Sequence, residues 1–197
     1  MAILAGDGLL TEAFALLSRE PHSNDHLIVS RKLRVIARVA AAAGAAGMVG
    51  GQAIDLASVT HNGAGQLPAP LDADGVRDMH ARKTGALIRA SAVAGAIMGG
   101  ATHAVIDAID AAAAEFGLAF QIIDDVLDVE GASGDLGKTA GKDAAAGKPT
   151  YPALYGVERS RQMAADCLER ARTLLEGAQI ADSRLVQIGR WIVERGN

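Results

Sequence analysis

The sequence predicts an all-α fold of closely packed helices, and three observations carry that prediction. Half of the 197 residues are hydrophobic and 23 are glycines, but only 3% are aromatic, whereas a β-sandwich needs more β-branched and aromatic residues. Apolar residues recur at helical spacing along most of the chain. An alanine- and glycine-rich segment at 40–51 offers a surface that another helix can approach closely. At this length the chain is expected to be one domain, residues 1–197, or part of a larger one.

Seven helices follow from periodicity and capping residues, over residues 1–18, 24–58, 72–98, 102–130, 151–157, 158–175 and 184–194. An apolar stripe that begins at Leu9 marks the first helix. The expected N-caps of the later helices are Asn24 or Asp25, Asp72 or Asp74, Thr102, and Ser183. Turn-forming residues predict loops at 61–70 and 131–149.

The bulk properties exclude several classes of function. A net charge of −4 gives no basic surface for nucleic acid or anionic lipid. Cys167 is the single cysteine and forms no intrachain disulfide, which favours a reducing, cytoplasmic location. The first residues lack the basic region of a signal peptide. The longest run without a charged residue or a histidine, 39–54, is shorter than the ~20 residues that a membrane span needs, so a buried helix is expected there.

Three carboxylates within an otherwise apolar helix are the strongest functional signal. Asp124 and Asp128 are one helical turn apart on one face, and Asp125 lies about 100° round the helix. Acidic side chains rarely enter a core unpaired, so this face is either solvated or occupied by a cation. Mg²⁺ prefers carboxylate oxygens and is usually shared with substrate phosphates. The apolar residues on both sides favour the cation.

A glycine-rich basic segment follows directly after the acidic helix. Glycines at 131, 134, 137, 141 and 147 alternate with lysines, which are Lys138, Lys142 and Lys148. Their ammonium groups are suited to the oxygens of a phosphate held at the aspartates. Acidic helix and basic loop together predict a metal–diphosphate site.

Two weaker clusters lie upstream. Lys83 and Thr84 are either phosphate ligands or ordinary surface groups on the third helix. Gln52 and Asp55 are polar residues on a glycine-lined apolar helix, where they either line a cavity or cap local structure. The segment 137–139 is not a P-loop, because the first glycine of that motif is replaced by Ala132 and a helix precedes it. The five histidines have no metal-ligand spacing and are expected to be caps or surface groups.

Taken together, these motifs resemble those of the trans-isoprenyl diphosphate synthases (the polyprenyl synthetase family), in particular bacterial farnesyl and geranylgeranyl diphosphate synthases. The matching stretches occur in the family's order and cover nearly the whole chain. They are residues 5–10 (AGDGLL), 50–56 (GGQAIDL), 83–87 (KTGAL), 117–128 (GLAFQIIDDVLD), 136–138 (LGK) and 147–152 (GKPTYP).

The resemblance implies a helical bundle around a central cavity and a prenyltransferase activity. An allylic diphosphate ionises with the help of Mg²⁺ and condenses with isopentenyl diphosphate, to give farnesyl or geranylgeranyl diphosphate. The implied metal ligands are Asp124, Asp125 and Asp128. The implied catalytic residues are Lys83, Gln121 and Asp124, and the substrate-binding residues are Lys83, Thr84, Phe120, Gln121, Lys138 and Lys148. No protein nucleophile is required.

One departure from the family pattern shapes the expectations. The family carries a first aspartate-rich motif and basic isopentenyl diphosphate ligands upstream of the stretch that matches residues 5–10. The resemblance therefore implies that the chain corresponds to the C-terminal two-thirds of a polyprenyl synthetase domain, with N-terminal helices missing, and it is expected to be inactive alone. The alternatives are a non-catalytic partner subunit of an intact synthase or, more remotely, a class I terpene cyclase. A homodimer, or association with a chain that supplies the missing helices, is expected because the family dimerises through helices that match the first two here.

Overall fold

A computed structural model describes residues 1–59, 71–134, 150–181 and 184–195, and these form helices with no strand among them, which confirms the all-α prediction. The helices are α1 (Ala2–Arg19), α2 (His26–Ala43), α3 (Met48–Val59), α4 (Ala73–His80), α5 (Ala86–Met98), α6 (His103–Gly134), α7 (Tyr151–Tyr155), α8 (Val157–Gly177) and α9 (Arg184–Glu194). A π-helical segment, Ala81–Gly85, joins α4 to α5 without a break.

Helix α6 is the centre of the bundle. It packs against α5, the π-helical segment, α7, α8 and α9. Its fully buried residues include Ala112, Ile122, Ile123 and Val126. Because the three aspartates belong to this helix, the core fixes the position of the acidic turn.

Local capping signals identified three helix starts correctly, one of them at Thr102, whose Oγ1 accepts a hydrogen bond from the N–H of Val105 at 3.4 Å. Asp25 accepts a hydrogen bond from the backbone N–H of Leu27 at 2.8 Å. Asp72, rather than Asp74, caps α4 and accepts from the N–H of Gly75 at 2.8 Å. Each carboxylate satisfies a donor that the first turn of a helix leaves without an intrahelical partner.

The predicted second helix is wrong in one respect, because it is broken into α2 and α3. Gly44 ends α2 in an extended conformation, and its N–H bonds to the carbonyl of Ala40. A Cβ atom on Gly47 would lie 2.7 Å from the carbonyl carbon of Ala42, so the chain turns back too tightly for a side chain there. The fourth helix is longer than predicted and ends at Gly134 instead of Glu130. The loop at 61–70, residues 135–149 and Ser183 lie outside the described residues.

Helix α1 buries no residue and exposes much of its apolar side. Ile3, Leu9 and Leu10 are 80%, 73% and 53% exposed, whereas Leu17, near the end of the helix, packs against the core. The predicted stripe is therefore covered only in its second half. A contiguous apolar face of this kind marks a surface suited to association.

One stretch, His26–Ser58, is long and apolar enough by length and composition to cross a membrane. Two features weaken this interpretation. The stretch is divided at Gly44 into α2 and α3, and α2 carries several basic residues, namely Arg31, Lys32, Arg34 and Arg38.

A paired charge between α5 and α6 predicts a pH dependence of stability. Asp110 accepts two hydrogen bonds of 2.8 Å from Arg89, which lower the pKa of this carboxyl. Because the pKa is lower in the folded chain than in the unfolded chain, the stabilisation is present at neutral pH and is lost as the pH falls below about 4. We expect Asp110→Asn to lower the free energy of unfolding by about 1 kcal/mol at pH 7. Urea unfolding measures the difference in free energy between the parent chain and the variant, which should vanish in acid. A difference that does not change with pH contradicts the pairing of Asp110 with Arg89.

Candidate functional site

The acidic turn of α6 does not present its three carboxylates in the same way. The side chain of Asp124 is 59% exposed, and that of Asp128, one helical turn later, is partly exposed. Asp125 is only 7% exposed. Asp124 and Asp128 therefore form an accessible pair on one face, and Asp125 points into the protein.

Asp125 connects α6 to two other elements. Its Oδ2 accepts a hydrogen bond of 2.9 Å from the backbone N–H of Tyr151, at the start of α7. The same oxygen lies 3.8 Å from Nε2 of His80, which is 7% exposed. The expectation that all histidines are caps or surface groups is thus wrong for His80, because α4 carries it into the core. The contact with Tyr151 fixes the start of α7 against the acidic turn.

The donor set fits a magnesium ion that keeps other ligands, rather than an all-protein cage. Within the described ranges no three Asp, Glu, His or Cys side chains converge as a metal site. Asp124 and Asp128 still supply two carboxylates one turn apart on an accessible face. Mg²⁺ commonly binds through one or two carboxylates, with waters and substrate phosphates completing its octahedron.

Arg195, which belongs to none of the sequence motifs, lies against the acidic turn. It donates to the Oδ1 of Asp124 at 3.4 Å and to the carbonyl of Phe120 at 3.2 Å. Its guanidinium carbon sits 4.1 Å from the centre of the Phe120 ring, a cation–π geometry. No local pattern predicts this pairing, since Asp124 and Arg195 are 71 residues apart.

Lys83 is held by a largely buried ion pair. Its Nζ lies 2.6 Å from Oδ2 of Asp55 on α3, and the Asp55 side chain is 8% exposed. A Cβ atom on Gly51 would fall 2.6 Å from the Cα of Lys83, so α3 and the π-helical segment touch backbone to backbone. The glycines of α3 therefore allow Asp55 to reach Lys83, while the neighbouring Gln52 is exposed.

The π-helical segment lies beside the acidic face of α6. A Cβ atom on Gly117 would sit 3.0 Å from the Cα of Gly85, which shows close approach of the two backbones. Gly117, Gln121, Asp124 and Asp128 follow one another at intervals of three or four residues and share one face of α6. Lys83 and Thr84 thus flank the face that carries the exposed carboxylates. Gln121 is 8% exposed, and Lys138 and Lys148 lie outside the described residues.

The pair of Asp55 and Lys83 gives a testable effect on stability. We expect Asp55→Ala to lower the free energy of unfolding by about 2 kcal/mol, because it leaves an ammonium group that is two-thirds covered without its counter-charge. The figure is below that for fully buried pairs, since the Lys83 side chain is 32% exposed. Urea denaturation measures it, with Asp107→Asn as an exposed control. Restoration of stability by adding Lys83→Met to Asp55→Ala is expected, and equal losses in the single and double variants contradict the pairing.

The sequence matches a family of known proteins. The polyprenyl synthetase family model matches residues 1–182. Farnesyl diphosphate synthase of Geobacillus stearothermophilus is 40% identical over 195 residues, which cover 99% of this chain and 62% of that protein. The chain spans about half to three-fifths of the length of the curated relatives it matches, 47% and 62% for two of them.

Solved structures agree with this assignment. A farnesyl/geranylfarnesyl diphosphate synthase from Zymomonas mobilis superposes with a TM-score of 0.78 and 38% identity, covering 97% of this chain and 60% of that one. A geranyltransferase from Helicobacter pylori, complexed with magnesium and isoprenyl diphosphate, gives a TM-score of 0.72 and 26% identity, with 98% and 58% covered. On its sequence, fold and motifs, the chain belongs to the polyprenyl synthetase family.

Proposed function

We propose that this chain supplies the allylic-diphosphate side of a prenyltransferase site. The reaction is condensation of an allylic diphosphate with isopentenyl diphosphate to a farnesyl or geranylgeranyl product. The close approach of Gly85 to Gly117 carries the proposal, because it puts the cationic segment with Lys83 beside the face of α6 with the exposed aspartates. Carboxylates for a divalent cation and an ammonium group for phosphate oxygens then flank one surface.

Each residue has a role that follows from its position. Asp124 and Asp128 hold Mg²⁺, which neutralises charge on the departing diphosphate when it is bound. Lys83, oriented by Asp55, and Thr84 donate hydrogen bonds to diphosphate oxygens. Gln121 offers its amide on the same face, and Phe120 borders the isopentenyl side. Lys138 and Lys148 remain predicted diphosphate ligands.

The role of Asp125 differs from that of Asp124 and Asp128. Its buried Oδ2 already accepts the N–H of Tyr151, so we propose that it holds the start of α7 against the acidic turn instead of facing the metal. Asp125→Asn keeps the shape of this side chain and one acceptor oxygen, and is therefore expected to perturb metal binding less than Asp124→Asn.

The exposed apolar side of α1 favours association, and with it a second candidate function. A homodimer covers such a face with a second copy, and a non-catalytic partner subunit covers it with an intact synthase. Size-exclusion chromatography with light scattering distinguishes self-association from a monomer, and purification from its own cells tests for a full-length synthase in fixed ratio. The prediction of a cytoplasmic location accompanies both candidates.

A chimera tests the proposed activity. The matching part of the Geobacillus stearothermophilus farnesyl diphosphate synthase is replaced by this chain, and condensation of dimethylallyl and isopentenyl diphosphates is assayed with Mg²⁺. We expect product from the chimera and none when Lys83→Gln is introduced. A helical chimera with an unchanged melting profile that binds Mg²⁺ yet forms no product rejects the proposal.

A further inference from the structure

A cavity of about 250 Å³ lies behind the acidic turn, among α4, α6, α7 and α8. Leu118 and Ile122 contribute the α6 side of this cavity. Ile122 points about 160° round the helix from Asp124, so the cavity opens on the opposite side of α6 from the exposed aspartates. It is separate from the proposed diphosphate site and nothing in the proposed function uses it.

Three arginines and two aspartates line this cavity, and two of the arginines have no ion-pair partner among the described residues. Arg170 is paired with Glu115 at 2.8 Å, and Asp166 accepts from Gln162 at 2.8 Å. In the part of the chain that the structure describes, the side chains of Arg77 and Arg159 have neither an ion pair nor a hydrogen bond. The carboxylates on the lining are those of Asp74, in the first turn of α4, and Asp166, and neither forms an ion pair with Arg77 or Arg159.

The rest of the lining is aromatic and apolar. Tyr151 and Tyr155 stack with ring centroids 6.2 Å apart and an interplanar angle of 28°, and Met163 lies beside them. Burial raises the pKa of Tyr151 to about 12 and that of the Cys167 thiol to about 12. Both groups are therefore neutral at physiological pH, and the cavity is suited to reversible binding rather than to attack by a thiolate.

We propose that this cavity is a binding site for a small aromatic anion. Its ring packs against Leu118, Met163 and the tyrosines, and its phosphate or carboxylate is held by Arg77 and Arg159. Arginine pairs bind such planar or tetrahedral anions through charge-assisted hydrogen bonds. The volume limits the ligand to about one fused ring system, at the small end of ligand pockets. The ligand also contacts Tyr151, whose N–H is bonded to Asp125 on the acidic turn.

Methionine-methyl NMR on the intact chain tests the site, with 1-naphthyl phosphate as the probe. Met163 is the one methionine on the cavity lining, and its signal is assigned with Met163→Leu. We expect a saturable shift of this resonance, with affinity reduced about tenfold by Arg77→Gln or by Arg159→Gln. Arg190→Gln, an exposed arginine on α9, is the matched control and leaves the affinity unchanged. The neutral analogue 1-naphthol binds at least about tenfold more weakly than the phosphate.

Three results overturn the proposal. One is the absence of a saturable shift at Met163. Another is equal affinity in the arginine variants and the Arg190→Gln control. The third is equal binding of 1-naphthol and the phosphate, which removes the role of the arginines. Both arginines are exposed, and circular dichroism of each variant verifies that the helical fold is kept.

Discussion

Replacing Gly51 with alanine is expected to lower the free energy of unfolding by about 3 kcal/mol and to displace Lys83 from its site. The added methyl group would overlap the backbone of Lys83, at 2.6 Å from its Cα and 2.8 Å from its Cβ. Backbone cannot swing aside as the end of a flexible side chain does, so α3 and the π-helical segment must separate. The ion pair between Asp55 and Lys83 is then lost as well.

Urea unfolding measures this effect, and a second glycine supplies the control. Gly95 lies within α5, and an added Cβ there would meet nothing within 4 Å. Gly95→Ala should therefore stabilise the chain by up to about 1 kcal/mol through helix propensity alone. Opposite signs for the two glycine-to-alanine changes are expected. Equal changes at both positions contradict the backbone contact between α3 and the π-helical segment.

Asp124→Asn is expected to cause the largest functional loss. The amide keeps the shape of the side chain but removes the negative charge that binds a divalent cation. We expect the condensation rate of the chimera to fall by about 100- to 1,000-fold, as for loss of one electrostatic contact in other active sites. Arg195 keeps its contacts with the carbonyl and ring of Phe120, so the fold is expected to survive.

A control substitution tests whether the rate depends on the charge at Asp124 itself or on the loss of any negative charge from α6. Asp107 is an exposed aspartate near the start of the same helix, and Asp107→Asn should leave the rate unchanged. The steady-state rate is measured at saturating Mg²⁺ and over a magnesium titration. A similar rate in Asp124→Asn and Asp107→Asn means that the acidic face is only a solvated helix surface.

The helical fold could be predicted because its signals are local. Asp25 and Asp72 cap helices through hydrogen bonds to residues two or three positions away, and the pattern shows such contacts directly. The break at Gly44 could not be predicted, since an alanine- and glycine-rich run looks the same whether it continues or turns. The π-helical segment at 81–85 was equally hidden, because nothing in its sequence distinguishes it from the α-helices that it joins.

Only the part of the site that lies on a single helix could be predicted from the sequence. The spacing of Asp124 and Asp128 puts them on one face whatever surrounds them. Asp125 differs because its burial depends on α7, which is reached only after a long intervening segment. Asp55 was visible as a polar residue on an apolar helix, but its partner lies 28 residues away. The contact between Arg195 and Asp124 could not be predicted for the same reason, because 71 residues separate them.

Binding of an allylic diphosphate by this chain tests the central claim most directly. Equilibrium dialysis with a radiolabelled thiolo analogue of dimethylallyl diphosphate, which resists ionisation, reports binding without any need for turnover. We predict binding with Mg²⁺ that EDTA abolishes and that Asp124→Asn and Lys83→Gln each weaken by about tenfold or more. Binding that persists in EDTA or in both variants, or no binding to the folded chain with Mg²⁺, contradicts an allylic-diphosphate site on this face of α6.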